Sequence, residues 1–196
     1  MILRGTSQTT LLRRQALTLL AAATLCASTS ISPAVAQDFS GPVLLTVTGN
    51  VQTPTRPGYD ELNDKFFGFN EVEFETAAQF DYEKLRTLTN VTVKADFPKG
   101  GDVHTYEGPL LKDVLAAAGA SGKTITVQAL DGYAAIVPIE EMIDKGAVVA
   151  LQRDGVPFAI GDYGPTQIVF PRAERADLAD MPDDNWVWSI FHINVE

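Results

Sequence analysis

Cysteine is nearly absent from these 196 residues: there is one, Cys26. A single cysteine excludes an intramolecular disulfide, a multi-cysteine zinc site and an iron–sulfur cluster. Histidine is scarce as well, with only His104 and His192, too far apart in sequence to form a motif. Basic residues are in deficit, 15 Lys and Arg against 25 Asp and Glu, a formal net charge of −10. Nucleic acid is therefore not an expected partner, because phosphate contacts need a basic face. A Gly-rich phosphate loop, a His-x-x-x-His pair and a G-x-S-x-G elbow are also missing. What is present is 45% hydrophobic and 20% charged, which suits one folded domain with a core rather than a disordered chain.

Residues 1–36 hold Arg4, Arg13 and Arg14 and no acid, then an apolar run from Leu17 to Leu25, then small residues ending in Ala34-Val35-Ala36. That order is the order of a secretory signal peptide, with cleavage expected after Ala36 and a periplasmic product. The apolar run is shorter than the roughly 20 residues a membrane anchor needs. Arg13-Arg14 is also the pair of a twin-arginine signal, with Leu12 and Ala16 where a hydroxyl residue and Phe are usual, so the export route stays open. Leu25 is too bulky for the residue before a lipoprotein cysteine. Cleavage removes Cys26 and leaves 12 basic against 25 acidic residues in 37–196, a net charge of −13. The expected mature domain has no cysteine, which excludes nucleophilic thiol chemistry and covalent staples alike.

Residues 37–196 read as many short strands and few helices. Val43–Thr48, Val72–Glu75, Val91–Ala95, Gln167–Phe170 and Trp186–Val195 are predicted strands. Thr124–Leu130 and Tyr133–Val137 flank Asp131-Gly132, while Ala147–Gln152 and Val156–Ile160 flank Asp154-Gly155. Both are predicted hairpins, since Asp-Gly between apolar strands favours a turn with both positions at positive φ. A short helix is predicted near Asp81–Leu88, capped by Asp81. A clearer one spans Pro109–Ala118, with Pro109 in its first turn and Gly119 at its stop. Pro138–Lys145 has Glu140 and Glu141 early and Lys145 late, as the helix dipole prefers. With no repeat and no linker, the reading is one α+β domain, mainly β. Adjacent acids such as Glu140/Glu141 and Asp183/Asp184 point different ways and form no carboxylate dyad.

Several segments follow one another along the chain: Tyr106-Glu107-Gly108-Pro109-Leu110-Leu111 running on to Gly119-Ala120, Asp131-Gly132-Tyr133 with Ile136-Val137-Pro138, Asp154-Gly155-Val156-Pro157, and Tyr163-Gly164-Pro165 leading to Val169-Phe170-Pro171. In this order the sequence resembles the molybdopterin-binding domain of the sulfite-oxidase fold, from about residue 40 to the end. The resemblance implies a molybdenum held by a cysteine thiolate about a dozen residues before Gly108, in Val93–Pro98, where none stands. Ala or Asp does not replace a soft sulfur ligand, and few basic residues are on hand for a cofactor phosphate. Molybdopterin is therefore an unlikely cofactor here. The cysteine-lacking exported members of the fold look like pterin-binding regulators that report to a membrane-bound diguanylate cyclase or phosphodiesterase. On that resemblance the chain is a non-catalytic sensor of a reduced pterin without molybdenum. The alternative is a molybdopterin-dependent oxidoreductase of the same fold.

The resemblance also nominates site residues. Asp131 or Asp162 can accept from the amino and N–H edge of a pterin, although Asp131 can equally just build its turn. Tyr133 and Tyr163 flank those turns and can stack or hydrogen-bond. His104 stands where family members often carry a histidine. Trp186 and Trp188, two apart, would share one face of a strand, in the core or lining the pocket. Gly164 and Pro165 would shape its rim.

Overall fold

The computed structural model describes residues 39–196; the expected signal peptide and Cys26 lie outside the described residues. In chain order the elements are β1 (Val43–Gly49), β2 (Arg56–Pro57), α1 (Lys65–Phe69), β3 (Thr76–Asp81), α2 (Tyr82–Thr87), β4 (Asn90–Ala95), β5 (His104–Pro109) and α3 (Leu111–Ala117). There follow β6 (Thr124–Ala129), β7 (Ala134–Pro138), α4 (Ile139–Asp144), β8 (Val148–Ala150), β9 (Gln152–Arg153), β10 (Val156–Pro157), β11 (Gln167–Val169) and β12 (Ile190–Val195). The architecture is mixed α+β and mostly strands, the class the sequence predicts.

Strands β2-β3-β1-β12-β6-β7 make a six-stranded sheet, with β1 parallel to β12 and the other neighbours antiparallel. Side-chain alternation separates its faces. Leu45, Val47, Ile125, Val127 and Ile193 are fully buried in the core. Thr46, Thr48, Gln79, Gln128, His192 and Asn194 are brought together on the other face by the register. A second sheet, β10-β9-β5-β4, and the pair β11-β8 complete the strand set. β5 and β8 approach so closely that a Cβ at Gly108 would meet the Val149 carbonyl oxygen at 2.1 Å, so only glycine fits.

Local signals that need no distant partner came out as predicted. Asp81 caps α2, its Oδ1 accepting from the Lys84 N–H at 2.7 Å. Burial pushes the Asp81 carboxyl up, but N–H donors from Lys84, Ser40 and Gly41 outweigh it and hold the group below its ordinary value. α3 buries Leu111, Val114 and Leu115, and Gly119 follows at φ +64°. At Asp154-Gly155 both residues take positive φ, 51° and 76°, and β9 pairs with β10 across them.

Five predicted elements are corrected. Val72–Glu75 is not a strand; Val72 is buried, but the ladder starts at Thr76, where Ala77 and Ala78 give little apolar signal. Pro109 ends β5 rather than opening α3, pairing with Asn90 in the ladder. Only Gly132 of the Asp131-Gly132 turn has positive φ, because the loop is wider, closed by the Ala129 N–H donating to the Tyr133 carbonyl at 2.8 Å. Ala147–Gln152 does not pair as a whole with Val156–Ile160: β8 pairs with β11, and only β9 meets β10. Trp186 and Trp188 precede β12 and share no strand face. Trp186 is 2% exposed and Trp188 42%.

Candidate functional site

Phe97, in the loop between β4 and β5, stands between two cavities and lines both. The loop is anchored at its base by Asp96 and Arg172, 2.5 Å apart. That guanidinium holds the Asp96 carboxyl below its ordinary value despite partial burial. Its tip, Gly100-Gly101, takes φ values of +99° and +132° that side chains rarely adopt. Lys99 reaches across to Asp183 at 2.6 Å, and this bond keeps the Asp183 carboxyl low.

The smaller cavity, about 140 Å³, is walled by His104 and Tyr106 of β5, Arg153 of β9, Tyr163 and Gln167. The hairpin turn explains the first group: His104 Nδ1 and Asp154 Oδ2 are 2.7 Å apart, and Asp154 Oδ1 accepts from the Thr105 N–H at 2.9 Å. The Thr105 donor first, then His104, hold the Asp154 carboxyl below its usual range. Arg153 lies over the Tyr163 ring at 5.0 Å, a cation–π contact. Burial pushes the Tyr106 hydroxyl up, tempered by Arg153 beside it. Gln167 is 3% exposed and its Oε1 has no hydrogen-bond partner among the described residues.

The larger cavity, about 230 Å³, is acidic and aromatic, walled by Asp131, Tyr133, Asp183, Asp184, Trp186 and Trp188. The Tyr133 hydroxyl donates to the Asp184 carbonyl at 2.9 Å, joining its two sides. Phe97 meets Trp186 edge-on at 6.0 Å, and Tyr163 meets Trp188 edge-on at 6.4 Å, so the aromatic wall is continuous from one cavity to the other. The buried Trp186 Nε1 has no acceptor among the described residues.

The structure therefore sorts the nominated residues. His104 and Tyr163 line the smaller cavity, while Asp131, Tyr133, Trp186 and Trp188 line the larger. Asp131 both lines the cavity and builds its turn, its Oδ1 accepting from the Tyr133 N–H at 3.0 Å. Asp162 does neither wall: its Oδ1 accepts from the N–H groups of Gly164 (3.0 Å) and Ala159 (3.3 Å), closing a turn. Gly164 belongs to that turn, and Pro165 lines a separate apolar groove. Phe97, Arg153 and Gln167 were not singled out from the sequence. A lone polar residue in the apolar run Gln167–Phe170 was the available signal for Gln167. His192 is a buried structural residue, with Nε2 2.7 Å from Thr48 Oγ1 and Nδ1 3.1 Å from Gln128 Oε1, and burial lowers its pKa to about 4.

Residues 39–196 contain no cysteine, and among the described residues no three His, Cys, Asp or Glu side chains cluster as metal ligands. In the segment where the resemblance implies a thiolate, Ala95 is buried and Asp96 is committed to Arg172. These residues do not fit a thiolate-held molybdenum.

A model of the oxidoreductase molybdopterin binding domain matches residues 36–176. Among solved structures, the chain is similar to the sulfane dehydrogenase SoxCD from Paracoccus pantotrophus, at 16% identity and a TM-score of 0.53. The match covers 82% of this chain but only 40% of that one, a likeness in fold. No curated protein matches the chain.

Proposed function

This chain belongs to the oxidoreductase molybdopterin binding domain family, and from that premise we propose that it binds a reduced pterin, without molybdenum, in the cleft on either side of Phe97 and acts as a non-catalytic sensor. One observation carries the reading: each cavity is lined by a residue whose buried polar atom has no partner among the described residues, Gln167 Oε1 in one and Trp186 Nε1 in the other. Leaving such an atom unpaired costs about 1–3 kcal/mol. One is an acceptor and one a donor. A pterin offers both complements, N–H donors along its pyrimidine edge and ring nitrogens and oxygen as acceptors. Its flat faces suit the rings of Phe97, Tyr133 and Trp188. Asp131 and Asp184 line the larger cavity, and their carboxylates would accept from the amino edge as charge-assisted bonds. The absence of a fitting thiolate favours the pterin over the metal.

Export and signalling to a membrane-bound cyclic-dinucleotide enzyme complete the proposal; residues 1–36 support the first and the family resemblance the second. The test uses the chain's two tryptophans, Trp186 and Trp188, which both line the cleft. Titrating purified protein with a tetrahydropterin is expected to quench its tryptophan fluorescence saturably, and Trp188→Ala to weaken binding at least tenfold. Stoichiometric molybdenum by elemental analysis would support the oxidoreductase alternative and overturn the sensor; no binding of any pterin would overturn both.

A further inference from the structure

The two ends of the cleft differ in the hydrogen-bonding groups they present. In the larger cavity Asp131 and Asp184 are acceptors, while Asp183 is tied to Lys99 at 2.6 Å. On the pterin reading, on which this inference rests, those carboxylates take the donor edge of the pyrimidine ring. The far end of the bicycle, the pyrazine ring, then points past Phe97 toward the smaller cavity, which His104 lines. Reduction changes that ring alone. Its nitrogens are bare acceptors in an oxidised pterin and N–H donors in a tetrahydropterin, whereas the pyrimidine edge keeps its amino group and amide N–H in both.

Neighbours fix what His104 offers to that ring. The turn after β9 is tied to β5 twice, the Asp154 N–H donating to the Thr105 carbonyl at 2.7 Å and the Thr105 N–H to Asp154 Oδ1 at 2.9 Å. Asp154 Oδ2 then lies 2.7 Å from His104 Nδ1. The Thr105 donor first, then His104, keep this carboxyl ionised below its usual range, so it accepts. Tyr106, two residues on along the same strand face, braces the imidazole edge-on at 6.4 Å. A neutral imidazole with its proton on Nδ1 has a lone pair and no hydrogen at Nε2. Among the described residues that Nε2 has no hydrogen-bond partner. The other charged or titratable groups walling the cavity are Asp102, Tyr106, Arg153 and Tyr163. Arg153 is the cationic donor among them, and it is engaged over the Tyr163 ring at 5.0 Å.

We infer that the His104–Asp154 pair reads the reduction state of the pterin: Asp154 fixes the tautomer, and the Nε2 lone pair of His104 accepts from a pyrazine N–H that only the reduced ring possesses. An oxidised ring sets lone pair against lone pair and leaves both unanswered. His104 is the ligand contact, and Asp154 is a positioning residue that acts through it.

One substitution inverts the tautomer. Asp154→Asn keeps an Oδ1 to accept from Thr105, and asparagine tolerates the φ of 51° at this position, so the turn is expected to fold. Its Nδ2 then donates to His104 Nδ1, which moves the imidazole proton to Nε2 and turns the acceptor into a donor. The probes are 6-methyltetrahydropterin and 6-methylpterin, titrated calorimetrically under argon at about pH 8.5, above the ordinary histidine range. The wild-type chain is expected to bind the reduced form about tenfold tighter, the size of one hydrogen bond made or left unmade. Asp154→Asn should lose or reverse that preference, and His104→Phe should lose it. The chain has only two histidines, His104 and His192, so long-range nitrogen–proton NMR spectra report the tautomer directly. His104 should carry its proton on Nδ1 in the wild type and on Nε2 in Asp154→Asn. Equal wild-type affinity for the two forms, a preference that Asp154→Asn leaves unchanged, or a wild-type His104 protonated on Nε2 would each overturn the inference and leave the pterin reading standing. Binding of neither form would overturn the pterin reading itself, and the inference with it.

Discussion

Two places where the fold buries polar side chains treat them oppositely. On the sheet face, Thr48, His192 and Gln128 form a chain of hydrogen bonds at 2.7 and 3.1 Å. Around Phe97, Gln167 Oε1 and Trp186 Nε1 are buried and have no protein partner among the described residues. A polar atom kept for structure is answered by a neighbour on the next strand, because an unanswered one costs stability. Gln167 and Trp186 line the two cavities beside Phe97, where a ligand can supply the missing partner, whereas a third such atom, Arg172 Nε, belongs to the side chain that anchors Asp96. The contrast predicts that changes at the first place are felt in stability, and changes at the second in binding.

The strongest way to break the contrast is at His192. His192→Ala strands the Gln128 Oε1 and opens a void, while Thr48 keeps its bond to Asn194 Oδ1, with an expected loss of about 3 kcal/mol in denaturant unfolding. Pterin affinity of the folded fraction should not move. Acid tests the same residue. The unfolded chain takes up the imidazole proton near 6.5, the folded chain only near 4, so between those values the unfolded state binds more protons. Stability should therefore fall as pH drops through that window, by about 3 kcal/mol at pH 4. His192→Gln, which has no proton to take up, should flatten the profile between pH 6.5 and 4. A slope left intact would mean that other groups carry it.

This division was only half legible in the sequence. Asp81, α3 and the Asp154-Gly155 hairpin were readable because each is decided within a few residues, by a cap, a helical stripe or a turn with a stated φ. β5 was not, since His104–Pro109 includes a glycine and a proline, and Gly108 is there for the sake of the Val149 carbonyl forty residues on. The site divides the same way. Aromatics and acids beside turns drew attention to Asp131, Tyr133, Tyr163 and the two tryptophans, whereas Asp162 showed the same local signal and serves only its own turn. Arg153, Gln167 and Phe97 are ordinary residue types whose meaning comes from position, a ring under the guanidinium, an unanswered amide, a wall common to two cavities. No spacing rule encodes those.

Gln167→Leu sharpens the comparison from the binding side. Among the described residues Gln167 makes no side-chain hydrogen bond that its loss would strand, so replacing a buried amide by an apolar group of similar size should leave the melting temperature unchanged or slightly higher. Tetrahydropterin affinity should fall about tenfold, the size of one lost hydrogen bond from a buried acceptor. A fall in stability with affinity retained would place Gln167 with His192 as a structural residue and remove the observation on which the ligand assignment stands.

The smallest effect is expected at Lys99, and it separates the loop from the core. Lys99 and Asp183 are a solvent-exposed pair, and such pairs add little to global stability. Lys99→Ala should therefore leave thermal unfolding unchanged. The pair does, however, tie the glycine-rich tip of the loop to the segment that carries Trp186, and Phe97 in that loop packs edge-on against the Trp186 indole. Freed of its tie, the loop keeps the Asp96–Arg172 anchor at its base and the packing of Phe97, and excursions of Phe97 expose Trp186 on a timescale that quenching samples. In the wild-type chain acrylamide should quench two populations, the exposed Trp188 readily and the buried Trp186 poorly. In Lys99→Ala the protected fraction should shrink, and saturating tetrahydropterin should restore it. A protected fraction unchanged by the substitution would show that the loop is held by its packing alone, and that the cleft, like the sheet face, is fixed before any ligand arrives.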